Sequence, residues 1–176
     1  HPRPETTMED LAALRPAFEA GGSVTAGNAS GVNDGAAAVV VTRATTALEQ
    51  GLGALATIEH VTTAALEPEI MGYAPVLALK KLFERSGLTP ADIDTFEVNE
   101  AFASQAVAVI RDAGLDPEKT NPYGGAIALG HPVGATGTIL TLRAAMDLQR
   151  RDLEYAVVTM CIGGGQALAA LLRRAR

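Results

Sequence analysis

The chain of 176 residues is long enough for one ordinary domain with its own hydrophobic core. Its net charge of −6 argues against nucleic acid as the main partner, although local positive groups would still bind a phosphorylated ligand. The single cysteine leaves no internal disulfide and favours a reducing, cytoplasmic setting. No apolar run reaches the roughly 20 residues that span a membrane, and no signal peptide is recognisable, so we expect no membrane contact.

The first third of the chain contains little predicted regular structure. Residues 1–22 form an irregular arm with one short helical turn at 8–14. Residues 21–35 are rich in Gly, Asn, Ser and Asp, which favour a loop, and a loop of this length in a compact domain is usually functional. A mobile linker is the alternative. Residues 36–42 are continuously apolar with three adjacent valines, which predicts a buried strand.

Hydrophobic periodicity predicts the remaining elements. Helix 101–113 is apolar nearly all round, which predicts burial on several sides, and the three glycines at 163–165 predict an antiparallel hairpin. The predicted helices are 43–50, 75–87, 101–113 and one ending near residue 150, and the further strands are 54–61, 95–98, 155–162 and 166–172. The sum is an α/β layered domain with a mixed five-stranded sheet and helices on both faces.

Three polar residues lie at or just beyond predicted strand ends or in a glycine-rich loop: Asn99, His131 and Cys161. Such strand ends form the ligand crevice of α/β sheets, so we expect the three to converge there. The helix that follows the loop favours a neutral imidazole at His131, as a base requires. Each residue also has a purely structural interpretation: a helix cap for Asn99, a partner for a loop carbonyl for His131, and a core thiol for Cys161.

Four segments together resemble motifs of the thiolases, the acetyl-CoA acetyltransferases and 3-ketoacyl-CoA thiolases. The segments are 25–37 (Thr-Ala-Gly-Asn-Ala-Ser-Gly-Val-Asn-Asp-Gly-Ala-Ala), 99–102 (Asn-Glu-Ala-Phe), 124–137 (Gly-Gly-Ala-Ile-Ala-Leu-Gly-His-Pro-Val-Gly-Ala-Thr-Gly) and 161–165 (Cys-Ile-Gly-Gly-Gly). The resemblance covers essentially the whole chain. It implies a layered thiolase-like fold, with residues 1–22 as an arm and part of the coenzyme-binding loop region and 23–176 as the thiolase C-terminal domain.

The resemblance also implies roles for individual residues. His131 would activate a nucleophilic cysteine, and Cys161 would move the proton on the α-carbon of acetyl-CoA. Asn99, through a water, would form an oxyanion hole with His131, and the Gly163 N–H would contribute to a second. Coenzyme A thioesters would be substrates, with neither a prosthetic group nor a metal. The coenzyme and acyl contacts would come from Arg3, Phe18, Ser30 and Met71.

One departure from the family pattern limits what this chain does alone. In thiolases the nucleophilic cysteine belongs to an N-terminal half, whereas the only cysteine here is Cys161. Because the first residue is His rather than Met, we also expect the chain to be part of a longer protein. We therefore expect a domain that is inactive without its N-terminal half and that forms homo-oligomers. The alternatives are a non-catalytic CoA-binding or scaffold module, and a reduced thioester hydrolase that uses Cys161 as nucleophile.

Overall fold

The computed structural model describes residues 2–175. His1, the first residue of the predicted arm 1–22, and Arg176, the last residue of the predicted domain 23–176, therefore lie outside the described residues. The described residues form an α/β fold with a mixed sheet, as predicted, but the sheet has four strands rather than five. None of their helices is long and apolar enough to cross a membrane. The elements are α1 (Met8–Ala12), α2 (Ala44–Glu49), β1 (Ala56–Ala65), α3 (Ala74–Ser86), β2 (Thr95–Val98), α4 (Ala103–Asp112), α5 (Ala126–Leu129), α6 (Thr136–Arg150), β3 (Tyr155–Ile162) and β4 (Gln166–Arg174), with short 3-10 helices at Pro68–Tyr73, Pro90–Asp92 and Pro117–Lys119.

The strands lie in the order β1-β4-β3-β2. Strand β4 pairs antiparallel with both of its neighbours, and the hairpin between β3 and β4 brings Cys161 opposite Ala167, as the three glycines predict. Strands β2 and β3 are parallel, with Val98 beside Thr159. The carboxyl end of β2 therefore meets the end of β3 that leads into the glycine turn, which is where a ligand crevice is expected.

Helices cover both faces of the sheet. Helix α3 packs on one face through buried residues such as Leu79, in the same cluster as Val157 of β3. Helix α6 packs on the other through Leu148, in the same cluster as Ala156 and Val158. Successive side chains of a strand point to opposite faces of the sheet, so Val157 packs in the α3 cluster while Ala156 and Val158 pack in the α6 cluster. An uninterrupted apolar run such as β3 therefore suits a strand that is buried on both faces. Both clusters are almost entirely aliphatic.

The predicted strand at residues 36–42 is wrong. These residues form neither a helix nor a strand, and the three valines Val39, Val40 and Val41 are 42%, 93% and 72% exposed. The apolar composition predicts burial, but among residues 2–175 no strand pairs with this run, and a strand exists only when a neighbour takes up its backbone hydrogen bonds. The loop at 21–35, by contrast, is irregular as predicted, with isolated bridges to distant residues.

Helix α4 is less buried than its composition predicts. Its buried residues are Gln105, Ala106 and Val109, all on one side, while Val107 is 61% exposed. Alanine and valine are small enough to stand on an exposed helix face, so an apolar sequence does not by itself require neighbours all round. The exposed face nonetheless leaves an apolar surface on this side of the molecule.

Candidate active site

The loop between α5 and α6 carries His131 and is fixed by a residue from the N-terminal third of the chain. The backbone N–H of His131 donates to the Asn33 side-chain oxygen at 3.0 Å, and Val32 forms a parallel bridge with His131. Gly130, which precedes the histidine, has a φ of 99°. This is a conformation that side chains rarely adopt, so glycine lets the chain turn and present the imidazole. The long loop predicted from its Gly and Asn content thus contacts the histidine directly.

The two ring nitrogens of His131 have different partners. Nδ1 lies 2.7 Å from the Thr136 hydroxyl, and that hydroxyl donates to the Pro132 carbonyl at 2.9 Å. The Thr136 oxygen therefore accepts from Nδ1–H, which leaves the lone pair of the neutral ring on Nε2. Nε2 lies 3.3 Å from the Asn99 Nδ2, a donor. Burial lowers the pKa of His131, so the ring is neutral at pH 7 with its basic atom toward Asn99.

Asn99 is fixed at the end of β2. Its backbone N–H donates to the Thr159 carbonyl at 3.0 Å, extending the parallel pairing by one residue. The residue is 1% exposed, and its side-chain Oδ1 has no hydrogen-bond partner among the described residues. A buried acceptor without a partner is costly, so this oxygen is an expected position for a water or a ligand donor. Asn99 does not cap α4, which begins at Ala103 without a side-chain cap.

Cys161 lies on β3, two residues beyond the Thr159 that pairs with Asn99. The residue is 7% exposed, and burial raises the pKa of its thiol above the ordinary cysteine value, so it is protonated at neutral pH. Gly163 follows in the exposed turn that joins β3 to β4. Gly165 closes the turn with a φ of 88°, where a Cβ would overlap the Leu66 carbonyl oxygen.

Of the four residues predicted to contact coenzyme A or its acyl group, Phe18 and Ser30 contact the 99–102 motif. The Phe18 ring packs edge-on against Phe102 with centroids 6.4 Å apart, and the Ser30 backbone N–H donates to the Ala101 carbonyl at 3.0 Å. Both therefore lie against the 99–102 motif. Met71 lies in the 3-10 helix that follows β1. Arg3 is exposed in the arm, where its carbonyl accepts from Thr6 N–H.

Strand β2 carries a buried carboxyl that was not identified from the sequence. Glu97 on β2 is 2% exposed, and burial raises its pKa to about 7 despite Arg143, whose guanidinium lies 3.4 Å away. The same guanidinium donates to the Gly124 carbonyl at 2.8 Å. Asp147 and Glu100 also raise the pKa of Glu97 through their charges. The sequence carries no signal for this burial, because alternation along Thr-Phe-Glu-Val places Glu97 on the polar face, and only the fold shows that both faces of β2 are covered.

Three further residues around the histidine were not singled out from the sequence. Asn33 and Thr136 hold the His131 backbone and ring, and Glu100 bonds the segment that leads to the histidine. All three stand inside the quoted motifs, but side-chain hydrogen bonds across the chain leave no periodic pattern to find. Among residues 2–175, no group of three or more His, Cys, Asp or Glu side chains is arranged to hold a metal ion.

Comparison with known proteins identifies the class to which this fold and site correspond. The family model for the thiolase C-terminal domain matches residues 52–174, and the model for the thiolase N-terminal domain matches residues 1–45. The chain belongs to the thiolase family, as its motifs predict.

Among similar proteins, the 3-oxoadipyl-CoA/3-oxo-5,6-dehydrosuberyl-CoA thiolase of Escherichia coli K12 is 52% identical over 176 residues, 99% of this chain and 44% of that protein. Beta-ketothiolase BktB of Cupriavidus necator is 50% identical over 175 residues, with the same coverage. The crystal structure of human mitochondrial 3-ketoacyl-CoA thiolase, known also in complex with CoA, superimposes with a TM-score of 0.94 at 46% identity and covers 99% of this chain and 44% of the human one. The chain thus spans less than half the length of these relatives.

Proposed function

We propose that this chain supplies the acid–base half of a thiolase active site. The reaction is the making or cleaving of a 3-ketoacyl-CoA by Claisen chemistry, an acyl transfer between coenzyme A thioesters. The observation that carries the proposal is the arrangement of the His131 ring: its Nδ1–H is bound by Thr136, and its basic Nε2 faces the Asn99 amide. A neutral imidazole with its lone pair on Nε2 suits a base, and after Nε2 takes up a proton its N–H suits an oxyanion-binding group.

In this proposal His131 has two tasks. Its Nε2 takes the proton from the nucleophilic cysteine of the N-terminal half, which then attacks the acyl thioester. Once Nε2 carries that proton it is a donor, and with a water held by Asn99 it forms the oxyanion hole for the thioester enolate; the unpartnered Asn99 Oδ1 supports the binding of a water there. Stabilising the enolate oxygen with fixed donors lowers the barrier to carbon–carbon bond formation, because negative charge builds on that oxygen in the transition state.

Cys161 acts as the proton carrier at the α-carbon. In the cleavage direction its thiol donates a proton to the carbanion that forms as the carbon–carbon bond breaks, and in the synthetic direction the thiolate takes that proton. The raised pKa of the buried thiol supports the donor role, since it keeps the proton in place at neutral pH. The same feature counts against Cys161 as the resting nucleophile of a thioester hydrolase, because only the thiolate attacks. The Gly163 N–H completes a second oxyanion hole for the acyl-cysteine.

Coenzyme A thioesters are the proposed substrates, and no prosthetic group is involved. Phe18 and Ser30 are proposed for the pantetheine, which their contacts with the 99–102 motif support. Met71 is proposed to line the acyl pocket and Arg3 to contact the adenine. The solved CoA complex of the human relative supports this assignment of ligand class.

The proposed partner is a thiolase N-terminal half that bears the nucleophilic cysteine. This chain matches only 44% of the length of its relatives, and its sequence contains one cysteine. The exposed run at Val39–Val41 falls within residues 1–45, which match the N-terminal domain model, so this run is the proposed contact with that half. Residues 1–22 as an arm and part of the coenzyme-binding loop region, and 23–176 as the thiolase C-terminal domain, remain the proposed organisation.

An activity assay tests the proposal. The chain alone should catalyse no acetoacetyl-CoA thiolysis, and turnover should appear when the N-terminal half of a close relative is added or fused. His131→Gln and Cys161→Ser should then lower kcat by about 100-fold or more, whereas His60→Gln, on the strand at the opposite edge of the sheet from Asn99, should not. Turnover by the chain alone that survives Cys161→Ala would overturn the proposal.

A further inference from the structure

We propose that Glu100 is a positioning residue that holds the His131 segment at its working distance from Asn99. This residue follows Asn99 in the 99–102 motif and has no role in the chemistry described above. The catalytic consequence rests on the proposed function, but the positioning itself does not. The argument depends on what the carboxylate contacts, on how little space surrounds it, and on where the contacted segment leads.

Both carboxylate oxygens of Glu100 accept hydrogen bonds from the loop and short helix, residues 121–131, that lead to the histidine. Oε1 accepts from the Asn121 Nδ2 at 3.2 Å, and Oε2 accepts from the Ile127 backbone N–H at 3.2 Å. Both partners are donors, so the position requires two acceptors. An ionised carboxylate supplies two, whereas the amide of glutamine supplies only one and sets an N–H against the other donor.

The carboxylate also fills the space beside the loop backbone. A Cβ on Gly125 would overlap the Glu100 carboxyl group, so the loop lies directly on it. Gly125 is itself buried and stands immediately before α5. Glycine is needed here for close approach rather than for its φ, which is −106°.

Asn121 joins the same contact to the end of β2. Its Oδ1 accepts from the Val98 N–H at 2.8 Å, and its Nδ2 donates to the Val98 carbonyl at 2.9 Å as well as to Glu100. The start of the loop is therefore fixed to the strand from which Asn99 and Glu100 emerge.

Two adjacent side chains thus hold the two ends of one short segment. Glu100 bonds Ile127, and Asn99 faces the ring of His131 four residues later. Between them the backbone bond from Gly130 N–H to the Ala126 carbonyl, 2.8 Å, keeps the segment compact. A displacement at Ile127 therefore reaches the imidazole, and a shift of about 1 Å in a catalytic group can cost about 100-fold in rate.

Nitrogen NMR of the histidine ring tests the positioning without any activity assay. The chain labelled with ¹⁵N-histidine should show His131 with a protonated Nδ1 and an unprotonated Nε2, assigned by loss of the signals in His131→Gln. In Glu100→Gln we expect these shifts to move toward a mixture of tautomers, because the Thr136 and Asn99 contacts are no longer held in register. Glu84→Gln, on the exposed side of α3, is the matched control and should leave them unchanged.

Glu100→Asp is a second test in case Glu100→Gln fails to fold. It keeps the negative charge, but its side chain is one methylene shorter and does not reach both donors. We expect a smaller displacement of the His131 shifts in this variant. Unchanged shifts in whichever of the two variants folds, judged by its amide spectrum, would overturn the proposal.

In the enzyme completed with the N-terminal half, Glu100→Gln should lower kcat by about 10- to 100-fold with little change in KM. Displaced ring shifts in Glu100→Gln, with no thiolase turnover even when the unsubstituted chain is completed with the N-terminal half, would uphold the positioning and contradict the proposed function.

A second pair of variants tests the contact with Gly125. Gly125→Ala should displace the His131 shifts in the parent chain, because its methyl group overlaps the carboxyl. In a Glu100→Ala background the same change should add little further displacement, since the overlapping atoms are gone. Equal effects in both backgrounds would show that Glu100 does not set the position of this loop.

Discussion

The Thr136 hydroxyl lies between two groups, the Nδ1 of His131 at 2.7 Å and the Pro132 carbonyl at 2.9 Å. Since the hydroxyl proton is committed to the carbonyl, the oxygen accepts from the ring, and one hydroxyl selects the tautomer of the histidine. This relationship connects the first residue of α6 to the basic atom of the proposed site.

Removing this hydroxyl should release the tautomer. In Thr136→Val we expect His131 to populate the tautomer protonated at Nε2, whose basic atom is Nδ1 rather than Nε2, and kcat of the completed enzyme to fall about 10- to 100-fold. Nitrogen NMR of the ring and steady-state kinetics are the measurements. The matched control is Thr141→Val, which loses a hydroxyl bonded at 2.7 Å to the Gly137 carbonyl within the same helix. Equal effects of the two substitutions would contradict the assigned role.

The buried Glu97 should make stability depend on pH. Its pKa is raised from 4.5 to about 7 in the folded chain, so between these values the folded state binds more protons than the unfolded state. The contribution of Glu97 to the free energy of unfolding is fully present below about pH 4.5. It is lost as the pH rises through about 7, and the loss amounts to about 3 kcal/mol. Urea unfolding across this range should show the fall, and Glu97→Gln should remove it. Glu84→Gln should retain the slope, and a slope unchanged in Glu97→Gln would disprove the assignment.

The reactivity of the single thiol should reflect its burial. Because burial raises the pKa of Cys161, its alkylation by iodoacetamide should have a pH midpoint above that of the same thiol in the chain unfolded by urea. With one cysteine in the sequence, the rate is read from intact mass without interference. A midpoint below the unfolded value would indicate an activated thiolate and would favour the hydrolase alternative.

The exposed valines should drive association. Val40 is 93% exposed in an apolar run, and burying such surface contributes about 25 cal/mol per Å². We expect the chain to self-associate or to bind an added N-terminal half, measured by sedimentation, and we expect Val40→Asp to weaken either association. Val107→Asp, an exposed valine on α4, is the control. A monomer that binds no N-terminal half, or equal weakening by both substitutions, would show that this run is not the contact.

The elements that are predictable from the sequence are those whose burial is completed within the chain. Helix α3 and the β3–β4 hairpin follow from periodicity and from three glycines, because their neighbours are present. The run at 36–42 shows the limit: its composition specifies burial but not the surface that provides it.

The motif positions of Asn99 and His131 were identifiable, and their contact at 3.3 Å is consistent with convergence at the strand ends. The roles of Glu100, Asn33 and Thr136 could not be identified from the sequence. Each role depends on a hydrogen bond to a residue that only the folded loop brings near. The burial of Glu97 was not predictable, because the polar–apolar alternation of residues 95–98 places it on a solvent face, and its partner Arg143 is 46 positions away on another element.

The bond from His131 N–H to Asn33 has a consequence for anyone recombining thiolases. Asn33 lies in the part of the chain that matches the N-terminal domain model, and His131 in the part that matches the C-terminal one. The boundary between the two matched domain models lies between residues 45 and 52. A crossover there would combine Asn33 from one parent with the His131 loop from the other. Crossovers placed before residue 25 keep both together, and chimeras built that way inherit the histidine with its support intact.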